Sequence, residues 1–166
     1  MHVEAFQAVA DFLHELKPPK SVVEFGSRFV NGSVRPLFRG SASYVGVDVA
    51  PGPCVDVVAD AATFTPALRP ACVVCCEVLE HAENAKAIVA NAVDILEEGG
   101  AIIVTCASTG RAPHSAVDGG QVQAGEFYCN VPPETLLAWL EEAGAERVKV
   151  LFDQGRGDAY AVGFKP

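Results

Sequence analysis

The residues of this chain whose types and spacing can do chemistry begin with Glu24 and Gly26. They continue through Asp48 and Asp60 to the run Glu77-Val-Leu-Glu-His81, and end at His114. Glu24 closes a short apolar run, and a turn opening at Gly26 follows it. A second apolar run, Tyr44-Val-Gly-Val-Asp48, also ends in an acid. A turn with little side-chain bulk lets a ligand approach the backbone. An acid at the tip of the next strand can accept hydrogen bonds from both hydroxyls of a ribose. This order predicts a cleft for an adenosine-containing ligand. His81 and His114 bring imidazoles, the side chains whose ordinary titration lies nearest neutral pH, and so are candidates for moving a proton.

Those residues need a frame, and hydrophobic spacing supplies one. Phe6, Val9, Ala10, Leu13 and Leu16 recur at helical intervals, which predicts an amphipathic N-terminal helix within residues 1–17, closed by Lys17-Pro-Pro19. Strands are expected at 22–25, 44–48, 55–58, 71–76 and 101–106, with a short or kinked helix at 31–38 around Pro36. Ile88, Val89, Ala92, Val93 and Leu96 mark a helix over 84–96, ended by Gly99 and Gly100. A second helix is expected over 132–143, and strands at 147–152 and 158–164 flank a hairpin turn. The polar, glycine-bearing stretch 108–131 is long for a compact domain and is expected to be a substrate-side loop. Strands alternating with helices imply a parallel sheet covered on both faces. The closing hairpin requires an antiparallel last strand.

Bulk properties narrow the function. The 166 residues form one ordinary domain, half hydrophobic and a fifth charged, enough for a real core. A formal net charge of -9 without a basic stripe disfavours nucleic acid and anionic membranes as partners. No signal peptide or transmembrane run is visible, and the expected location is cytoplasmic. Of the six cysteines, three fall in Ala71-Cys-Val-Val-Cys-Cys76, where side chains alternate between faces. Cys72 and Cys75 with a histidine are an alternative zinc set, but no second cysteine pair stands at ligand spacing. Buried free thiols are the favoured reading.

Taken together, these motifs resemble the class I S-adenosylmethionine-dependent methyltransferases, over nearly the whole span 21–164. Val23-Glu-Phe-Gly26 is similar to the first motif of that family, and Val47-Asp48 to its ribose-binding acid. Val58-Ala-Asp60-Ala61 is similar to the adenine-contacting turn. Cys75-Cys-Glu-Val-Leu-Glu-His81 is similar to the fourth-strand motif, and Leu96-Glu-Glu-Gly-Gly100 to the post-helix turn. The resemblance implies a Rossmann-like, doubly wound α/β fold with a seven-stranded sheet, mostly parallel with an antiparallel last strand. It departs in the first motif: where the family often alternates three glycines, only Gly26 fits, with Arg28 and Val30 in the later positions. A rebuilt turn using Asn31 and Gly32, both tolerant of positive φ, is expected instead. The G-x-G-x-x-G pattern of dinucleotide sites is missing.

The resemblance implies S-adenosylmethionine as cofactor and S-adenosylhomocysteine as product. The expected cofactor-binding residues are Glu24, Gly26, Ser27, Arg28, Asn31, Gly32, Asp48, Val49, Asp60, Ala61, Glu77, Val78 and Leu79. Glu24 would hold the methionine ammonium, and Arg28 is a candidate partner for the ligand carboxylate by charge. His81 and His114 are the candidate general bases, with Glu80 and Tyr128 behind them. Phe127, Tyr128 and Trp139 could wall a substrate opening or belong to the core. Without an Asn-Pro-Pro-Tyr signature or an acid cluster for a divalent ion, the expectation is a metal-independent enzyme. Its acceptor would be a small molecule with a hydroxyl or an amine. The rival is a non-catalytic cofactor-binding subunit or interaction module that needs a partner. Oligomeric state is left open.

Overall fold

A computed structural model describes residues 2–166. Its elements are α1 (Val3–Glu15), β1 (Ser21–Phe25), β2 (Ser43–Asp48), β3 (Val57–Val58), β4 (Cys72–Cys76), α2 (Ala85–Asp94), β5 (Ala101–Ala107), α3 (Pro133–Glu142), β6 (Glu146–Asp153) and β7 (Asp158–Phe164). The seven strands form one sheet in the order β3-β2-β1-β4-β5-β7-β6. β1 pairs in parallel with β2 and β4, and β4 with β5. β7 runs antiparallel to both β5 and β6, as a short hairpin demands.

The central strands are apolar throughout because both faces are covered. Alternation along each strand sorts the side chains. Val23, Phe25, Val73, Cys75, Ile102 and Val104 face α2 and α3, joining Ile88, Val89, Leu136 and Leu140 in one core. Val22, Cys72, Val74, Cys76 and Ile103 face α1, packing with Ala5, Val9 and Phe12. Phe25, Ile102, Ile103, Leu136 and Leu140 are fully buried; truncating any of them to Ala costs about 2–5 kcal/mol. All six cysteines are free; Cys72, Cys75, Cys76 and Cys106 are buried, while Cys129 is exposed. Cys72 and Cys75 lie on opposite faces of the sheet and so cannot share one ion.

The expected helix at 31–38 is a single 3-10 turn, Arg35–Phe38. Pro36 lacks an N–H, and Gly32 sits at φ 150, so no α-helical ladder can run through this segment. Val34 and Phe38 still anchor it to the α1-side core. The third strand is shorter than expected, two residues paired to Val47 and Asp48. Among the described residues no helix is long and apolar enough to cross a membrane.

The candidate active site

A cleft of about 810 Å³ opens at the carboxyl ends of β1, β2 and β4. Open α/β sheets place ligands here because the strand order reverses direction about β1 and β4. Glu24, Gly26, Arg28, Asn31, Gly32, Asp48, Val49, Asp60, Ala61, Glu77, Val78, His81 and His114 all line it. The fold thus gathers nearly every residue singled out from sequence. Ser27 and Leu79 are exceptions: both are buried, and their side chains do not reach the cleft wall.

Gly26 begins the rebuilt turn at φ 74, and a Cβ there would stand 2.1 Å from Val78 Cγ2. Its amide and that of Ser27 both donate to the Val47 carbonyl, tying the turn to the neighbouring strand. Asp48 is fixed in the same region. One of its oxygens accepts from the Arg28 amide at 3.1 Å, the other from the Ala50 amide at 3.0 Å. Each carboxylate oxygen keeps a further lone pair for a ligand hydroxyl. Asp60 Oδ1 accepts from the Ala62 amide at 2.8 Å, which shapes the turn after β3.

Glu24 is 3 % exposed and takes a 2.8 Å hydrogen bond from the Tyr44 hydroxyl. Burial pushes its carboxyl up to about 7, against the opposing pull of that hydroxyl. Glu77 follows β4 with φ 56, a conformation a non-glycine residue adopts only when its surroundings enforce it. Its amide donates to the Thr105 carbonyl, and the Thr105 hydroxyl donates to its Oε1 at 2.9 Å.

Beyond β4 stand three rings. His81, His114 and Tyr128 pack edge to face, with centroids 5.0 to 5.4 Å apart. Burial and the neighbouring His114 push His81 down to about 4, so its imidazole is neutral at physiological pH. Glu80 lies behind the rings, fully buried. Its Oε1 accepts from the Ala107 amide at 3.1 Å, and burial pushes its carboxyl up to about 8.

The loop 108–131 contributes residues 111–116, 119–120 and 125–127 to the cleft lining. Arg28 Nη2 donates to the Ala116 carbonyl at 3.1 Å and Asn31 Nδ2 reaches the Asp118 carbonyl at 3.5 Å. At the other end the Cys129 amide donates to the Glu80 carbonyl. The Arg28 guanidinium is thereby committed in part to the loop, while its buried Nε has no partner. Phe127 lines the cleft, whereas Trp139 packs against the core.

Sequence reasoning passed over a polar cluster at the far end of the cleft. His2 caps α1 and places Nε2 3.1 Å from Asp158 and 3.5 Å from Glu77. Asp158, fully buried at the start of β7, also takes two hydrogen bonds from Arg111 Nη1 at 2.9 and 3.0 Å. The bond to Asp158 raises the His2 imidazole above its ordinary range. One signal was available: Asp158 is an acid opening an otherwise apolar strand.

A family model described as a methyltransferase domain matches residues 1–150. No curated protein matches by sequence. Solved structures similar in fold include an amino pentose methyltransferase from Micromonospora echinaspora with S-adenosylmethionine bound. It is 16% identical with a TM-score of 0.73, covering 98% of this chain and 91% of that one. A sugar N-methyltransferase from a Streptoalloteichus species is 17% identical with a TM-score of 0.73, covering 98% and 87%. An N-methyltransferase from Bradyrhizobium japonicum, in complex with S-adenosyl-L-homocysteine, is 16% identical with a TM-score of 0.68, covering 98% and 86%.

Proposed function

We infer that this chain, which belongs to the methyltransferase-domain family, moves the methyl group of S-adenosylmethionine to a small-molecule acceptor carrying a hydroxyl or an amine. The observation that carries this reading is the continuity of one cleft. It runs from Asp48 and Asp60, past Gly26 and Glu24, to the rings of His81 and His114. A nucleoside at the β2 and β3 end would leave its sulfonium facing the histidines. The similar folds solved with that cofactor or its product support the choice of ligand.

Each residue then has a task it is equipped to do. Asp48, already fixed by two backbone amides, takes the ribose hydroxyls, and Asp60 takes the adenine amino group. Glu24 pairs with the methionine ammonium, which offsets the burial of its carboxylate. Gly26 takes the positive φ of the turn and leaves room for Val78, which a Cβ there would meet. The sulfonium is an activated leaving group, so the acceptor needs little beyond alignment with the carbon–sulfur bond. As the new bond to the methyl carbon forms, the carbon–sulfur electrons return to sulfur and leave S-adenosylhomocysteine. The neutral imidazole of His81 accepts the acceptor proton, with the His114 side chain as the other candidate base.

Isothermal titration with S-adenosylmethionine and S-adenosylhomocysteine, with NAD as control, tests the reading. Micromolar binding of both sulfur ligands and none of NAD is expected. Absence of binding by either overturns it. Binding without turnover on any sugar or amine acceptor favours the partner-dependent subunit instead.

A further inference from the structure

The fold brings together three side chains that are dispersed in sequence. Glu80 and His81 follow β4, while His114 comes from the loop 108–131. One ligand atom from each lies within 4.8 Å of the other two. Glu80 is 0% exposed, and its Oε2 has no hydrogen-bond partner; His81 Nδ1 is likewise buried and unpartnered. A buried carboxyl oxygen and a buried ring nitrogen left unmatched are costly. A cation between them satisfies both.

We propose that Glu80, His81 and His114 bind a divalent transition-metal ion, with open coordination positions facing the cleft. Two imidazoles and one carboxylate suit zinc, cobalt or manganese better than magnesium or calcium, which prefer all-oxygen shells. Ligand atoms about 2.1 Å from one ion stand at most about 4.2 Å apart. Ligand atoms already within 4.8 Å of one another are near that reach, and side-chain rotation would bring them onto one ion. Three protein ligands, with the remaining positions open, is the pattern of a reactive rather than a structural site. The sequence showed no cluster of acids, and none is needed here, because two of the ligands are histidines and one arrives on the loop.

The ion also selects an acceptor, a step that rests on the methyl-transfer reading above. A metal polarises oxygen, so a hydroxyl is favoured over an amine. The hydroxyl loses its proton to water. Its oxygen lone pair then forms the bond to the methyl carbon while the carbon–sulfur bond breaks onto sulfur. In that case the histidines act as ligands instead of bases.

The test uses the whole chain, stripped by chelator and titrated with zinc and with cobalt in the absence of S-adenosylmethionine. One ion per chain is expected. The cobalt form should show visible d–d bands and no sulfur charge-transfer band. His114→Ala and His81→Ala should each weaken binding at least tenfold while keeping the wild-type circular dichroism spectrum, and Cys129→Ser should bind like wild type. Unchanged binding in both histidine variants, or a cobalt–thiolate band, overturns the proposal. Loss of binding in Cys129→Ser also overturns it. Metal binding without cofactor binding would overturn the methyl-transfer reading alone. Cofactor binding without metal binding would overturn the metal site alone.

Discussion

Glu24 offers a sharp test, because its burial fixes both a sign and a size. Its carboxyl titrates at about 7 in the folded chain against an ordinary 4.5. Between those values the folded state holds a proton that the unfolded state has lost. Folding stability therefore falls as pH rises from 4.5 through 7 and levels off above. At about 1.4 kcal/mol per pH unit of difference, the loss for this group is about 3 kcal/mol. Glu24→Gln removes the titration while keeping an acceptor for the Tyr44 hydroxyl. Urea unfolding followed by circular dichroism from pH 5 to 8 should show wild type losing stability relative to the variant as pH rises. The variant should end up to about 3 kcal/mol the more stable at pH 8. The raised His2 contributes to pH dependence in both proteins and cancels in the difference. Parallel curves would refute the assignment of a buried, neutral Glu24. The same reasoning predicts that a ligand ammonium draws the proton off. Cofactor binding near neutral pH should then release a proton in wild type and none in Glu24→Gln, read from titration heats in buffers of different ionisation enthalpy.

The other predictions use single substitutions. Asp48→Ala should weaken S-adenosylmethionine binding by at least about 1 kcal/mol through lost charged hydrogen bonds. It should also lower the melting temperature, because the Arg28 and Ala50 amides lose their acceptor; calorimetric titration and thermal unfolding check the two effects separately. Gly26→Ala meets both a positive φ and Val78 at 2.1 Å. It should cost about 2 kcal/mol of stability and abolish cofactor binding even where the chain still folds at low temperature. Arg111→Ala strands the buried Asp158 with only His2 and Tyr160 as partners. A cost of about 2 kcal/mol is expected, discounted from a fully buried pair because Arg111 is partly exposed. Faster proteolysis within 108–131 should accompany it, measured by timed digestion and mass spectrometry.

The parts of this molecule that were legible in sequence share a physical property: they are repetitive. The apolar runs at β1, β4 and β5 have the length and composition of strands buried on both faces, and the stripe Ile88, Val89, Ala92 marks the buried face of a helix. The terminal hairpin fixes the direction of β7. The acids at the ends of β1 and β2 were found because strand ends address one edge of the sheet. The helix expected to be short or kinked around Pro36 is short, a single 3-10 turn over Arg35–Phe38 instead of a span from 31. What the pattern left open was how distant polar groups pair. The contact of His2 with Asp158 joins the first helix to the last strand, and no periodicity announces it. The meeting of His114 with Glu80 and His81 depends on the path of an irregular loop, which side-chain pattern does not dictate. Ser27 and Leu79, also expected near the cofactor, are buried and absent from the cleft lining, because strand-end position does not say which way a side chain turns.

The distribution of thiols has a practical consequence. Reaction with a maleimide or iodoacetamide dye requires the thiolate. Burial removes Cys72, Cys75, Cys76 and Cys106 from reach and raises each of their ionisation points, Cys72 to about 12. Cys129 is exposed, and its own amide is bonded to the Glu80 carbonyl near the end of the loop 108–131. With the half-buried Cys54 changed to serine, one dye per molecule would sit where the loop is tied to the turn after β4, beside the cleft, without an added cysteine.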